Sequence, residues 1–509
     1  MKIDARKLLN EINDSIGSRP IFKNNTEDLV SYLIDTGINI NILSFSIGMD
    51  TLLIDDFIRQ FRTILKFIFL YSSFNNKTSM SQKEIIDEFH NMTFDFKMNY
   101  APIRNYLEQC SLGKRMIEYD EKTDTYIEKE IDGYSNYSRI HDQLKVFPSD
   151  VYKDEARKTI RCFDMKKSKP KYFFKGNPAK QAMADLIKAT WIDSEIKEDY
   201  DFKDFTYEEM IRFCAGLKFI GMMYYGFTVF SPKNYIEKEE MISYLKDLTN
   251  LEEKKILFFL ELNTYNIEYQ KDKLTLIQPL ILIGNKYYFF PITIDLSILP
   301  IKMYRVLNDL YKDKYEKDLS KIARIKEQQM LSDIQKLLDK FELKIIPNYQ
   351  LYDKNHHLIG EYDLLIYDKN ESTLYICECK WFFVKDDERD NVRLDKRLLD
   401  SIEKRKEQDK LLIDNIDIFV KEHLSDCEKP KKHISFIISQ NNLGSVKFDV
   451  PVVNYETMEE EINKYDSFNK FMDSIFDEDY KNKYELSNFQ TDLKIDKYKF
   501  KIFLIAHKE

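Results

Sequence analysis

The sequence predicts a multidomain α+β chain: a large α-helical N-terminal region, a β-containing junction and a C-terminal α/β domain. Three observations predict it. The chain has 509 residues, which at roughly 100–200 residues per domain makes room for about two to four domains. Only 12 Gly and 12 Pro interrupt a chain that is 43% hydrophobic and 32% charged, a composition that favours long helices around a sizeable core. The spacing of apolar residues also changes along the chain, helical first, then strand-like, then interleaved. We divide the chain at these changes into residues 1–250, 251–305, 306–470 and a C-terminal extension, 471–509.

Residues 1 to about 145 read as helical. Leu52, Leu53, Phe57, Phe61, Leu65 and Ile68 recur at helical spacing, and Ser81 followed by Glu84 is a capping box that opens a further helix. The polar stretch from Asp120 to Tyr137 reads as a loop or hairpin. Between 161 and 180, basic residues that include Lys166, Lys167, Lys169 and Lys171 interleave with Tyr172, Phe173 and Phe174. Basic groups among aromatics suit nucleic-acid contact; a solvated loop is the competing reading. Helical spacing returns from about 179 to 227, with Phe213, Leu217, Ile220 and Met223 inward.

From about 255 the pattern predicts strands. Leu274–Ile283 and Lys286–Ile294 flank Gly284-Asn285, a hairpin signal, and Leu299-Pro300 closes this piece. Residues 306–342 read as one long helix whose buried face carries Leu319, Ile322, Ala323, Met330, Ile334, Leu337, Leu338 and Phe341. Glu327 falls on that face, where a carboxylate is conspicuous; a helix salt bridge with Arg324 or Lys326 is the alternative. Lys344–Leu351 follows as a strand, then a helix over 394–424. In it Leu398, Ile402, Leu412, Ile413 and Ile416 point inward, interrupted by Arg405, Lys406 and Asp409. Strands at His433–Ser439 and Val450–Asn454 precede a helix from Glu456, and Tyr498–Ile502 alternates apolar residues with lysine like a charge-protected edge strand.

The chemistry concentrates between Gly360 and Trp381. Two apolar runs, each broken by charges, are joined by the polar turn Lys369-Asn370-Glu371-Ser372. Strand side chains alternate faces, so Glu378 and Lys380 share one face, Cys377 and Cys379 take the other, and Glu361 shares a face with Asp363. An unpaired buried charge costs several kcal/mol, so such charges need partners. If the runs pair, carboxylates from two strands and one lysine converge. That donor set suits Mg²⁺ or Mn²⁺, which take oxygen ligands and often use only one or two carboxylates. Asp363 and Glu378 are the candidate metal ligands, with the backbone carbonyl of Cys379 as a third. Lys380 would orient or deprotonate a water, and Glu361 is a possible support.

This stretch resembles the PD-(D/E)xK nuclease superfamily, whose signature is an acid on one strand followed by Glu-x-Lys on the next. Asp363 matches the first acid, Glu378 the second and Lys380 the lysine, while Tyr362 stands where the name motif has proline and Cys379 takes the middle position. The order of helix, three strands, helix and strand agrees with that family, and the resemblance covers about 306–465. It implies a restriction-endonuclease-like fold for the C-terminal domain and an acidic residue on the helix before the first strand, for which Glu327 is the candidate and Glu316 the alternative. It also implies that the helix after the hairpin contributes to the site; Lys406 and Gln408 are the candidates to hold a phosphate oxygen or the attacking water, against a plain surface role.

The implied activity is Mg²⁺- or Mn²⁺-dependent endonucleolytic hydrolysis of DNA by Asp363, Glu378, Lys380 and Glu327. Cutting both strands usually needs two sites, which favours a homo-oligomer. The appended helical region resembles bacterial restriction and antiphage effectors, implying a defence role and a protein partner for residues 1–250. The alternatives are a non-cleaving nucleic-acid-binding module and a helical sensor or scaffold. Other classes fit less well. Net charge is −9, against a globally basic nucleic-acid coat but not a local groove. Six Cys without a paired framework suit a reducing cytoplasm. The N-terminus lacks the apolar core of a signal peptide, and no apolar run of about 18 residues predicts a membrane span. There is no phosphate-cradling Gly-rich loop ending in Gly-Lys-Ser/Thr, no Gly-x-Ser-x-Gly elbow and no dinucleotide fingerprint.

Overall fold

The computed structural model describes residues 3–46, 51–113, 115–129, 177–190, 196–197, 199–228, 235–270, 278–289, 294, 299–382, 388–439, 450–476 and 486–507. It is a mixed α+β structure with several sheets. The chain divides into two compact units: Met1–Lys129, Val146–Leu319 and Gln490–Phe503 form one, and Glu130–Lys145, Ser320–Phe489 and Leu504–Glu509 the other. Among the described residues, no helix is long and apolar enough to cross a membrane. Cys110, Cys214, Cys377, Cys379 and Cys427 are free thiols.

The first unit is mainly helical. Ser81 caps the helix Gln82–Asp95 by the reciprocal bonds of a capping box with Glu84. Of the polar stretch Asp120–Tyr137, the part up to Lys129 belongs to a hairpin, Met116–Asp120 against Thr125–Lys129; 130–137 lie outside the described residues. Gly284-Asn285 turns the hairpin Leu280–Ile283 to Lys286–Phe289, with Gly284 at φ 57°. Strand spacing misleads at 253–263, which is a helix. Its run Ile256-Leu257-Phe258-Phe259-Leu260 has strand-forming side chains, yet Ile256, Phe259, Leu260 and Asn263 bury at helical intervals. Leu299-Pro300 opens a helix, Leu299–Leu310, instead of closing a strand region; proline is favoured in a helix's first turn, where its missing N–H is no loss. The helix expected over 306–342 is accordingly two, broken at Tyr311. The C-terminal strand Tyr498–His507 is not an edge: it lies between Thr125–Lys129 and Leu486–Ile495. Its alternation reports one buried face, with Phe500 and Ile502 each 1% exposed.

The second unit is a five-stranded sheet with helices on both faces. Its elements are α1 (Lys312–Leu338, from Ser320 onward), β1 (Leu343–Tyr352), β2 (Leu358–Asp368), β3 (Thr373–Lys380), α2 (Glu388–Asp414), α3 (Ile416–His423), β4 (Lys432–Ser439), β5 (Val452–Asn454), α4 (Tyr455–Ile462) and α5 (Phe468–Phe476). The helix expected over 394–424 is therefore two, α2 and α3. Strand order is β5-β4-β3-β2-β1. β1, β2 and β3 run antiparallel, and β4 and β5 add in parallel, which requires the long α2–α3 crossover.

Alternation along the central strands builds two cores. Leu364, Ile366, Tyr375, Cys377, Cys379, Phe436 and Ile438 face Met330, Leu331, Ile334 and Leu338 of α1 and the apolar sides of α4 and α5. Leu365, Tyr367, Leu374 and Ile376 face Leu412 of α2 and Ile416 and Phe419 of α3. Full burial of a side chain of this size contributes about 1.5–3 kcal/mol, so these cores fix the sheet's register. Cys377 and Cys379 are core residues, and burial pushes the Cys377 thiol well up, which suits packing rather than metal chemistry.

Candidate active site

The site forms where two strands part. The β2–β3 ladder runs from Asp368 opposite Thr373 to Leu364 opposite Cys377 and stops. The next position would set Asp363 against Glu378. β3 instead continues along β4 to Lys380 opposite Ser439, and β2 continues along β1 to Gly360 opposite Leu351. The β1–β2 ladder also skips Asp363: Pro347 pairs with Leu364, then Tyr349 with Tyr362. Pro347 has no N–H to donate, and Asn348 takes φ 50°, a left-handed conformation that Asn tolerates better than most residues. Tyr362 and Leu365, three apart, both bury on the α2–α3 side, so the alternation slips one position at Asp363. The break leaves the Asp363 carboxylate to accept the Cys379 N–H at 2.8 Å, and it bridges the opening between the strands.

Three more charged groups meet there. Glu378 and Lys380 share a face, as alternation requires, with Lys380 Nζ 2.5 Å from Glu378 Oε1. Glu327, half-buried on α1, accepts the Trp381 N–H at 3.3 Å and lies within electrostatic reach of Lys380, Asp363 and Glu378. Glu316, the alternative, is exposed and stands 3.8 Å from Lys312 one turn earlier. On the opposite side, Arg405 of α2 is fully buried. Its Nε donates to Asp409 Oδ1 at 2.7 Å, its Nη1 lies 3.7 Å from Glu378 Oε2, and its guanidinium sits 4.6 Å over the Tyr362 ring. Asp409 also accepts from the Ser435 hydroxyl of β4, and the Tyr362 hydroxyl donates to the Gln408 carbonyl at 2.6 Å.

The electrostatics follow from this crowding. Glu327, Asp363, Glu378 and Asp409 face two cations, Lys380 and Arg405, a formal excess of negative charge. Burial pushes the carboxyls of Asp363, Glu327 and Asp409 above their ordinary values, outweighing the Cys379 N–H at Asp363, Lys380 at Glu327 and Arg405 at Asp409. Burial alone would lower the Lys380 pKa, but Glu378, Asp363 and Glu327 together raise it. Lys380 is thus held as an ammonium. Glu378 Oε2 is buried and has no hydrogen-bond partner among the described residues.

Such a site fits a divalent cation through few protein oxygens. Among the described residues, no group of three or more His, Cys, Asp or Glu side chains has the arrangement to hold a metal ion. Two carboxylates, the Cys379 carbonyl, waters and a substrate phosphate are enough for Mg²⁺. The excess negative charge and the uncommitted Glu378 oxygen are what a bound cation would answer.

The remaining sequence candidates are not gathered here. Glu361 is exposed and, among the described residues, its side chain meets Gln350, at 3.5 Å. Lys406 is exposed and pairs with Glu403 at 2.9 Å; Gln408 contributes its carbonyl to Tyr362. Lys166, Lys167, Lys169 and Lys171 lie outside the described residues. At this part of α2 the inward polar positions are Arg405 and Asp409, four apart, one step from those favoured by sequence. Their signal was the pairing of a cation with an acid at i and i+4 inside an apolar stripe. No family model, curated protein or solved structure matches the chain.

Proposed function

We propose that the chain is a metal-dependent nuclease that hydrolyses phosphodiester bonds in DNA, its site built on a domain of the restriction-endonuclease-like kind. One observation carries this reading: Asp363 and Glu378, from adjacent strands, meet Lys380 and Glu327 where the β2–β3 ladder opens, with an excess of negative charge. Asp363, Glu378 and the Cys379 carbonyl are the groups that would hold Mg²⁺ or Mn²⁺. When bound, the metal supplies a Lewis acid that activates water and neutralises charge on the phosphodiester.

The protein's own groups account for the rest. Beside three carboxylates that raise its pKa, Lys380 is placed as a hydrogen-bond donor and positive charge toward the attacking water or a phosphate oxygen. Preorganised charge of this kind stabilises a transition state without reorganisation. Glu327 ties α1 to the end of β3 through the Trp381 N–H and lies within electrostatic reach of the Lys380 ammonium. Asp363, bonded to the Cys379 N–H, bridges the two strands where their ladder ends.

We extend the reading to a cytoplasmic, homo-oligomeric restriction or antiphage effector in which residues 1–250 bind the target or a protein partner. The test is incubation of the full chain with supercoiled plasmid, linear duplex and single-stranded RNA, with Mg²⁺ or Mn²⁺ and with EDTA. DNA cut only when metal is present is the expected result. DNA bound but never cut with either metal, across salt and pH, contradicts it.

A further inference from the structure

Arg405 is one of the largest fully buried side chains among the described residues. Such a cation needs a reason, because a buried charge is retained only where partners hold it. Three elements hold this one. Asp409, one turn on, takes its Nε. Ser435 of β4, opposite Ile376 of β3, fixes Asp409 from the sheet side. The Tyr362 ring lies against the guanidinium, and its own hydroxyl is tied to α2. The Nη edge points at Glu378 with Nη1 3.7 Å from Oε2, beyond hydrogen-bond range. Among the described residues, neither Arg405 Nη2 nor Glu378 Oε2, both buried, has a hydrogen-bond partner.

From this geometry we infer that Arg405 is a positioning residue for Glu378, anchored by Asp409, Ser435 and Tyr362 so that Glu378 Oε2 stays oriented and uncommitted for a divalent cation. The inference rests on the proposed metal-dependent reading and adds a determinant of metal affinity. A rigid planar fork suits the task better than lysine, since it keeps one edge on Asp409 while the other faces Glu378. A carboxylate already hydrogen-bonded on both oxygens would have to release one to take a metal. Glu378 has Oε1 on Lys380 and Oε2 facing a fixed cation. Fully buried, Arg405 has no access to nucleic acid, so its effect must pass through Glu378.

Groups that orient a metal ligand from behind are worth about 10–100-fold in metal affinity or activity. The test measures Mn²⁺ binding to the full chain by calorimetry and electron paramagnetic resonance, plasmid cleavage, and DNA binding in EDTA, for wild type, Arg405→Gln, Arg405→Lys and Lys380→Ala. Expected for Arg405→Gln is Mn²⁺ affinity lowered about 10–100-fold, a comparable loss of cleavage at fixed Mn²⁺, and unchanged DNA affinity in EDTA. Arg405→Lys recovers part of the loss. Folded Arg405→Gln that binds Mn²⁺ as wild type does overturns the inference. Should Arg405→Gln fail to fold by circular dichroism, Arg405→Lys is judged by the same measurement and criterion. A Lys380→Ala variant that still cuts sinks the proposed site, and wild type that binds no Mn²⁺ sinks the metal-dependent nuclease reading itself; cleavage lost in Lys380→Ala but intact in the Arg405 variants sinks only the role given to Arg405.

Discussion

Replacing Arg405 by methionine is the most informative perturbation of the fold. The change keeps an apolar stem of similar length and removes the charge. It strands two carboxylates: the Arg405, Asp409 and Glu378 side chains are 1%, 12% and 10% exposed. Breaking a buried pair by removing one partner costs about 3–5 kcal/mol. Here the low end applies, because Ser435 still donates to Asp409 and Lys380 still pairs with Glu378. About 3 kcal/mol corresponds to roughly 6–12 °C for a unit of 150–250 residues. The double variant Arg405→Met/Asp409→Leu removes both charges and should return to within about 1 kcal/mol of wild type, since apolar replacement of a buried pair is often neutral. Differential scanning calorimetry of the full chain, with hydrogen exchange of β3 and β4 amides to assign the transition, measures both. Arg405→Met melting within about 2 °C of wild type, or a double variant no better than the single, would refute a tightly held pair beneath Glu378.

Further outcomes follow from the same geometry. Asp363→Asn keeps an acceptor for the Cys379 N–H but removes a carboxylate that burial disfavours, so it should abolish cleavage while raising the metal-free melting temperature; a lower melting temperature would count against the electrostatic account. The sign with pH is fixed, because the folded pKa of Asp363 lies above its ordinary 3.8. The native state takes up that proton first as pH falls. The stability advantage of Asp363→Asn is therefore largest near neutrality and shrinks as pH drops through the raised value, which urea titrations of both proteins across that range will follow. Mn²⁺ affinity, competing with protons at Asp363, should weaken at a higher pH than an ordinary aspartate would give. In the helical unit, Gly216→Ala adds a Cβ 2.6 Å from Thr249 Cγ2, and Thr249 is pinned by its bond to the Leu245 carbonyl. The helix-propensity gain of about 1 kcal/mol is outweighed by overpacking of about 1–3 kcal/mol, so thermal unfolding should come earlier, with partial rescue by Thr249→Ser.

Much of the second unit was legible because local signals agreed there. Alternation placed Glu378 and Lys380 on one face and the two cysteines in the core, and the polar turn at 369–372 gave the hairpin. What sequence did not show is the fork. Nothing in the alternation announces that it slips at Asp363; that depends on Pro347 and Asn348 in the neighbouring strand. The buried arginine was half visible: Arg405 and Asp409 stood out in the apolar stripe of α2, but a helix turns about 100° per residue, and the choice of Lys406 beside them selects the solvent side. Elsewhere, strand-forming residues at 256–260 fold as helix because their burial period is helical, and the lysine-rich last strand is interior because one of its two neighbours, Thr125–Lys129, lies far away in sequence.

The most direct test of the central claim is cleavage of supercoiled plasmid in Mg²⁺ or Mn²⁺ by wild type beside Lys380→Ala, each confirmed folded. The account predicts nicked and linear product from wild type and none from the variant, because Lys380 is the fixed cation among Glu327, Asp363 and Glu378. Equal cutting by both would place the chemistry elsewhere in the chain and contradict the account.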